Sequence, residues 1–156
     1  MASVEIRYRY DEELASRATR RMTSRYRVFI VIAFLVTVLF ALQRMPWPAL
    51  IAGMFTLAFA LLTIRYRRNA RKLARRLGCP EVTVRVDENA ISFSMPSQQS
   101  TSAWSQTRAL WRFDDVWLFF PYGVTATYTA MPVAAMTDEF SELVLAGLRA
   151  GGATVR

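Results

Sequence analysis

Histidine is absent from this chain of 156 residues, and cysteine occurs once, at Cys79. The first absence removes the commonest ligand of zinc and haem and the usual base of nucleophilic catalysis. The second excludes a disulfide within the chain and accords with a reducing compartment. No internal repeat, low-complexity tract or Gly/Ser linker divides the sequence, and no motif in it names a reaction. Length alone suggests about one domain. Acidic residues are scarce in the first half only: residues 1–80 hold 15 basic and 4 acidic groups, net +11, whereas residues 81–156 hold 5 and 8, net −3. The formal charge of +8 is therefore a local feature. Disorder is excluded by composition, since 53% of the residues are hydrophobic and 13% aromatic, which is ample surface to bury.

Charge is also missing from two long stretches. Residues 28–43, VFIVIAFLVTVLFALQ, are 16 uncharged residues, which as a helix cover roughly 24 Å, a little short of a ~30 Å hydrocarbon core. Snorkelling of Arg27 and Arg44 makes up the difference. Residues 45–64, MPWPALIAGMFTLAFALLTI, are 20 uncharged residues and are long enough to span unaided. A soluble core would have to surround two helices apolar on every face, and too little chain is left for that. A cleaved leader is disfavoured because Asp11, Glu12 and Glu13 precede the first stretch. The expectation is a two-helix transmembrane hairpin over 28–64, with spans at 28–43 and 46–64. Its turn runs from Gln43 to Pro48, with Pro46 and Pro48 breaking the helix and Trp47 suited to the headgroup layer. Twelve basic residues flank the spans on the terminal sides, against Arg44 alone in the turn. The positive-inside rule then places both termini in the cytoplasm.

Val4–Tyr10 alternates Val4, Ile6, Tyr8 and Tyr10 with Glu5, Arg7 and Arg9, the period of a half-buried strand. Asp11 follows as a helix N-cap, and Leu14, Ala18 and Met22 continue one stripe toward the first span. In the basic juxtamembrane helix, 65–78, Tyr66, Ala70, Leu73 and Leu77 share a face before Gly78 and Pro80 end it. From residue 79 the pattern turns to short β-type runs: EVTVRV, AISFS, STSAW, RALWRF, VWLFFP and VTATYTA. Thr137, Asp138 and Glu139 open a final helix striped by Phe140, Leu143, Val144, Gly147 and Leu148, ended by Gly151 and Gly152. The strand at 4–10, six strands and one closing helix form a cytosolic domain over 79–156, joined to the N-terminal segment 1–27 through that first strand.

The run AWSQTRALWRFDDVWLFFP, the Asp114-Asp115 turn and Met131-Pro132 ahead of the last helix resemble the bacterial YcxB-like family. The likeness covers nearly the whole chain as architecture and residues 100–149 as motif. It implies an α+β inner-membrane protein, with the hairpin inserted after the first strand of a seven-strand pleckstrin-homology-like (PH-like) β-barrel or sandwich with a C-terminal helix. It implies no enzyme activity, active site or cofactor. Such proteins often carry a basic turn where this chain reads Met131-Pro132-Val133-Ala134-Ala135-Met136, so a contact made there is lost.

The basic cluster is the strongest functional signal, since each Lys or Arg near an anionic leaflet is worth about 1 kcal/mol. Arg20, Arg21, Arg25, Arg27, Arg65, Arg67, Arg68, Arg71, Lys72, Arg75 and Arg76 are the candidate headgroup contacts, although such flanks also serve orientation alone. Nucleic acid is disfavoured, because a duplex would be held against repelling headgroups. The pairs Asp87-Glu88, Asp114-Asp115 and Asp138-Glu139 fall at turns or a helix start, where solvation and the helix dipole account for them without catalysis. Cys79 reads as incidental. Trp104, Trp111, Phe113, Trp117, Phe119 and Phe120 read as core and sheet-face residues, with an exposed subset, undefined without the register, available to a partner. Ala49 and Gly53 form a small-xxx-small pair for helix packing. The spans contain no charge and only Thr37, Thr56 and Thr63 as inner polar residues, which disfavours transport. Two functions are expected: a membrane-anchored, non-enzymatic interaction module whose domain binds anionic lipid headgroups or a protein, or a structural subunit packing through its hairpin.

Overall fold

The computed structural model describes residues 3–96, 98–122 and 128–156, and the side chains of all of these except 25–27. Strand β1, Val4–Arg9, buries Ile6 and Tyr8 and exposes Glu5, Arg7 and Arg9, as its alternation requires. The Asp11 carboxylate accepts from the Leu14 amide at 2.7 Å and opens helix α1, Glu12–Leu42, with Glu12 and Glu13 at the positive end of the helix dipole. The segments Glu12–Ser24 and Val28–Leu42 of α1 are inclined at 50°. Three residues later helix α2, Pro46–Arg76, begins. The prolines were expected to break the helix within the turn; Pro46 instead starts α2, because a first helical residue has no use for an amide hydrogen. The reversal is made by Arg44, at φ 58. At the far end Gly78, at φ 71, and Pro80 stop α2 as expected, and the Cys79 amide donates to the Ala74 carbonyl at 3.1 Å.

The two helices run antiparallel. Arg75 Nε lies 2.6 Å from Glu12 Oε1, Arg71 Nη2 donates to Ser16 Oγ at 2.9 Å, and farther along Gly53 faces Thr37. Tyr66, Leu73 and Leu77 are exposed, and the buried residue of this part of α2 is Ala74. The face turned to α1 carries Arg71, Ala74 and Arg75 because α1 offers polar partners there, Ser16 and Glu12. Among the described helices, α2 is by itself long and apolar enough to cross a membrane, and none of its most apolar stretch is buried. Helix α1 joins it when its two inclined segments are counted as one span.

The remaining chain forms β2 (Glu81–Val86), β3 (Ala90–Met95), β4 (Gln98–Ala103), β5 (Thr107–Arg112), β6 (Val116–Pro121), β7 (Thr129–Pro132), helix α3 (Asp138–Ala150) and β8 (Thr154–Val155). Among the described residues eight strands, one more than expected, make two four-stranded sheets, β1-β2-β3-β4 and β7-β6-β5-β8, and no seven-strand barrel is formed. Strand β1 pairs antiparallel with β2 across the inserted helices, Val4 opposite Val86 and Arg9 opposite Glu81. The additional strand β8 lies parallel to β5, with Thr154 opposite Ala109. Residues 124–127 of the expected strand VTATYTA lie outside the described residues.

Phe93 of the first sheet meets Phe119 of the second with ring centroids 5.4 Å apart. Helix α3, capped by Thr137, which accepts from the Phe140 amide, buries Phe140, Val144, Gly147 and Leu148 in this core. A Cβ at Gly147 would overlap the Trp104 indole, whose Nε1 donates to the Asp87 carbonyl at 3.1 Å, so only glycine lets helix and ring meet. The base of α1 belongs to the same core through Leu14 and Ala18. Strand β6 is covered on both faces over Val116–Phe119, all buried, and of the aromatics in VWLFF only Phe120 is left half-buried.

Candidate functional site

A cleft of about 630 Å³ separates the helix pair from the second sheet. Its helical wall is built by spacing: Phe59, Leu62, Thr63 and Tyr66 of α2 recur at three- and four-residue intervals, and Met22 and Thr23 of α1 stand beside them. The opposite wall is Ala109 and Trp111 of β5 with Phe120 of β6. Trp111 and Phe120 stack at 4.6 Å, and Phe120 lies 6.0 Å from Tyr128, whose hydroxyl is 3.0 Å from Thr19 Oγ1 of α1. Helix, aromatic wall and sheet are thus one connected surface. Burial holds the Tyr128 hydroxyl above its ordinary pKa, and burial followed by the neighbouring Tyr128 pushes Tyr10 up to about 12. Both therefore stay neutral across the physiological range.

Two cations close the rim. A register shift in β5 between Thr107 and Ala109 makes Arg108 the extra residue of a bulge, a device that re-aims a side chain. Arg156 is placed by β8: its amide donates to the Leu110 carbonyl at 2.9 Å, and its carbonyl accepts from the Arg112 amide at 2.7 Å. Both residues line the cleft, both are exposed, and neither has an ion pair among the described residues. No Asp or Glu lines the cleft. The Thr23 and Thr63 hydroxyls donate to carbonyls of their own helices, at 2.8 and 2.9 Å, which leaves their oxygens to accept. The chemistry on offer is an apolar trough with two cationic residues on its sheet wall.

The arginines singled out from the sequence lie elsewhere. Arg21 Nε is 2.8 Å from Asp115 Oδ1, and its guanidinium stands over Phe113 at 5.4 Å, tying α1 to the β5–β6 turn. Arg71 and Arg75 are engaged with Ser16 and Glu12. Arg75, by hydrogen bond and charge, holds the Glu12 carboxyl below its ordinary pKa. Arg20, Arg65, Arg68, Lys72 and Arg76 are exposed, Arg67 is half-buried, and the side chains of Arg25 and Arg27 lie outside the described residues. None of the nine whose side chains are described lines the cleft. Gly53 faces Thr37 with ordinary van der Waals room for one added carbon, and Ala49, four residues earlier, is half-buried.

The acidic pairs sit at turns and at the start of α3, where Asp87 Oδ1 accepts from the Asn89 and Ala90 amides at 2.8 and 2.9 Å. Among the described residues no group of three or more His, Cys, Asp or Glu is placed to hold a metal ion. Cys79 is a half-buried free thiol at φ 52. Comparison with family models, curated proteins and solved structures finds no match to the chain.

Proposed function

We propose that the chain is a membrane-anchored, non-enzymatic interaction module of the bacterial inner membrane. Its two apolar helical segments span the bilayer, both termini lie in the cytoplasm, and a PH-like β domain is held against the inner leaflet, where it binds anionic headgroups. The observation that carries this reading is the union of an unburied apolar helix pair with a folded domain through one core: Leu14 and Ala18 of α1 pack among the sheet residues, while no residue of Val28–Leu42 or of the most apolar stretch of α2 is buried. Apolar surface on that scale needs lipid or a partner to remove it from water. The insertion of the helices between β1 and β2, with α3 closing the sheets, supports the likeness to YcxB-like proteins.

The structural-subunit alternative draws on Ala49 and Gly53 facing other helices, yet Gly53 faces Thr37 within the pair. We therefore favour the anchored module. Its test is extraction and protection in cells producing the whole chain. The protein is expected to stay in the pellet through alkaline carbonate, and a tag at residue 156 to resist protease added from the periplasmic side until the inner membrane is opened. Release by carbonate, or a tag cut from outside, contradicts the reading.

A further inference from the structure

We propose that the cleft between α2 and β5 is a binding site for one anionic phospholipid of the inner leaflet, with its phosphate at Arg108 and Arg156 and an acyl chain along Phe59, Leu62 and Trp111. The inference rests on the membrane placement above and names the residues that do the recognising. Four features single out this occupant. The trough is continuous with the uncharged stretch of α2, so whatever fills it must be apolar where Phe59 and Leu62 are apolar. Its cations stand on the sheet side, outside the helix pair, Arg108 in a bulge of β5 and Arg156 just after β8. Neither Arg108 nor Arg156 has an ion pair among the described residues, and no Asp or Glu side chain lines the cleft to compete for them. The volume of about 630 Å³ is that of a site for a small molecule or a part of a lipid, and it is too small for a helix or a folded partner.

Guanidinium suits this task better than ammonium, because its planar fork gives a phosphate two parallel hydrogen bonds. The hydroxyls of Thr23 and Thr63 have their protons committed to helix carbonyls. They therefore offer acceptors to the hydroxyl groups of a headgroup and add no donor for the phosphate. A headgroup bearing hydroxyls and one phosphate, such as that of phosphatidylglycerol, matches the set. Recognition here differs in kind from attraction to the exposed arginines at the helix bases: it is stoichiometric, and it resists salt where diffuse attraction is screened.

The test uses the full chain in nanodiscs of equimolar phosphatidylcholine and phosphatidylglycerol, read by native mass spectrometry as lipid is progressively stripped. Wild type is expected to keep one phosphatidylglycerol per chain after phosphatidylcholine is gone. The double substitution Arg108→Gln with Arg156→Gln is expected to weaken that retention by about tenfold or more. Ala109→Phe, which fills the trough with both charges intact, is expected to do the same, and Arg68→Gln with Arg76→Gln is expected to leave it unchanged. Retention lost with Arg68 and Arg76 and kept without Arg108 and Arg156 overturns the cleft and leaves the anchored module standing. No preference for phosphatidylglycerol in any protein overturns the cleft and the headgroup reading together. Displacement of the lipid by inorganic phosphate alone, or a stoichiometric protein that crosslinks at residue 109 in place of lipid, also overturns it. Carbonate extraction, scored separately, reports on the membrane placement.

Discussion

Leu118 of β6 and Leu57 of α2 are the same side chain in opposite surroundings: Leu118 is fully buried, and Leu57 is 61% exposed. The contrast extends to whole regions. In the β domain and the base of α1, apolar residues from both sheets and α3 close on one another, whereas between Val28 and Ile64 large apolar residues stand outward on both helices. Burying such a side chain is worth about 1.5–3 kcal/mol, so leaving a whole helix pair unburied in water would outweigh the marginal stability of a domain. On the proposed membrane placement, one chain is folded against two solvents. Charge divides in the same way, with the arginines collected where the two regions meet.

The sharpest way to break this comparison is to remove the same atoms from each side. Leu118→Ala is expected to destabilise the full chain in detergent by about 3–4 kcal/mol, and Leu57→Ala by no more than about 0.5 kcal/mol. Equal losses in denaturant titrations would mean that α2 is buried against protein. The next effect concerns the junction of α3 with Trp104. Gly147→Ala pushes a methyl into the indole ring and is expected to cost about 2–3 kcal/mol, with loss of the near-ultraviolet signal of the domain. An unchanged melt would show that helix and ring do not meet there.

The smallest effect is one of pH. Tyr10 titrates near 12 in the folded chain against an ordinary value of about 10. The unfolded chain therefore releases this proton first as pH rises. Stability from Tyr10 is whole below about pH 10 and is lost progressively toward pH 12. Tyr8 and Tyr128, also raised by burial, fall in the same direction. Denaturant midpoints measured at pH 9 and pH 11 should fall in wild type and fall less in Tyr10→Phe. An identical decline in both would place the sensitivity elsewhere.

Much of this architecture was legible because its signals are local. Alternation in VEIRYR marked β1, Asp11 and Thr137 marked two helix starts, and Gly78 with Pro80 marked a helix end. Strand β8 was not legible, since two residues after a glycine pair are too short to show a period. Nor was the inward face of α2 near its end, where Arg71 and Arg75 turn toward α1 and leave Leu73 and Leu77 outside. That choice is made by the partner helix, which supplies Ser16 and Glu12. The cleft was hidden for a similar reason. Arg108 enters its lining through a bulge and Arg156 after a parallel strand, so the two share one cleft only once register is set. The arginine-rich flanks, obvious in the sequence, drew the eye to the neighbouring surface instead.

We propose that the uncharged parts of the helix pair lie in lipid while the β domain lies in water. Spin labels placed singly at residues 47, 57, 68 and 100 of a Cys79→Ser chain in lipid vesicles, with relaxation by oxygen compared with relaxation by a polar nickel chelate, test it directly. Residue 57 is expected to be open to oxygen and closed to the chelate, residues 47 and 68 to mark the two interfaces, and residue 100, on the exposed β4, to be open to the chelate. Equal access of the chelate to residues 57 and 100 would contradict the account.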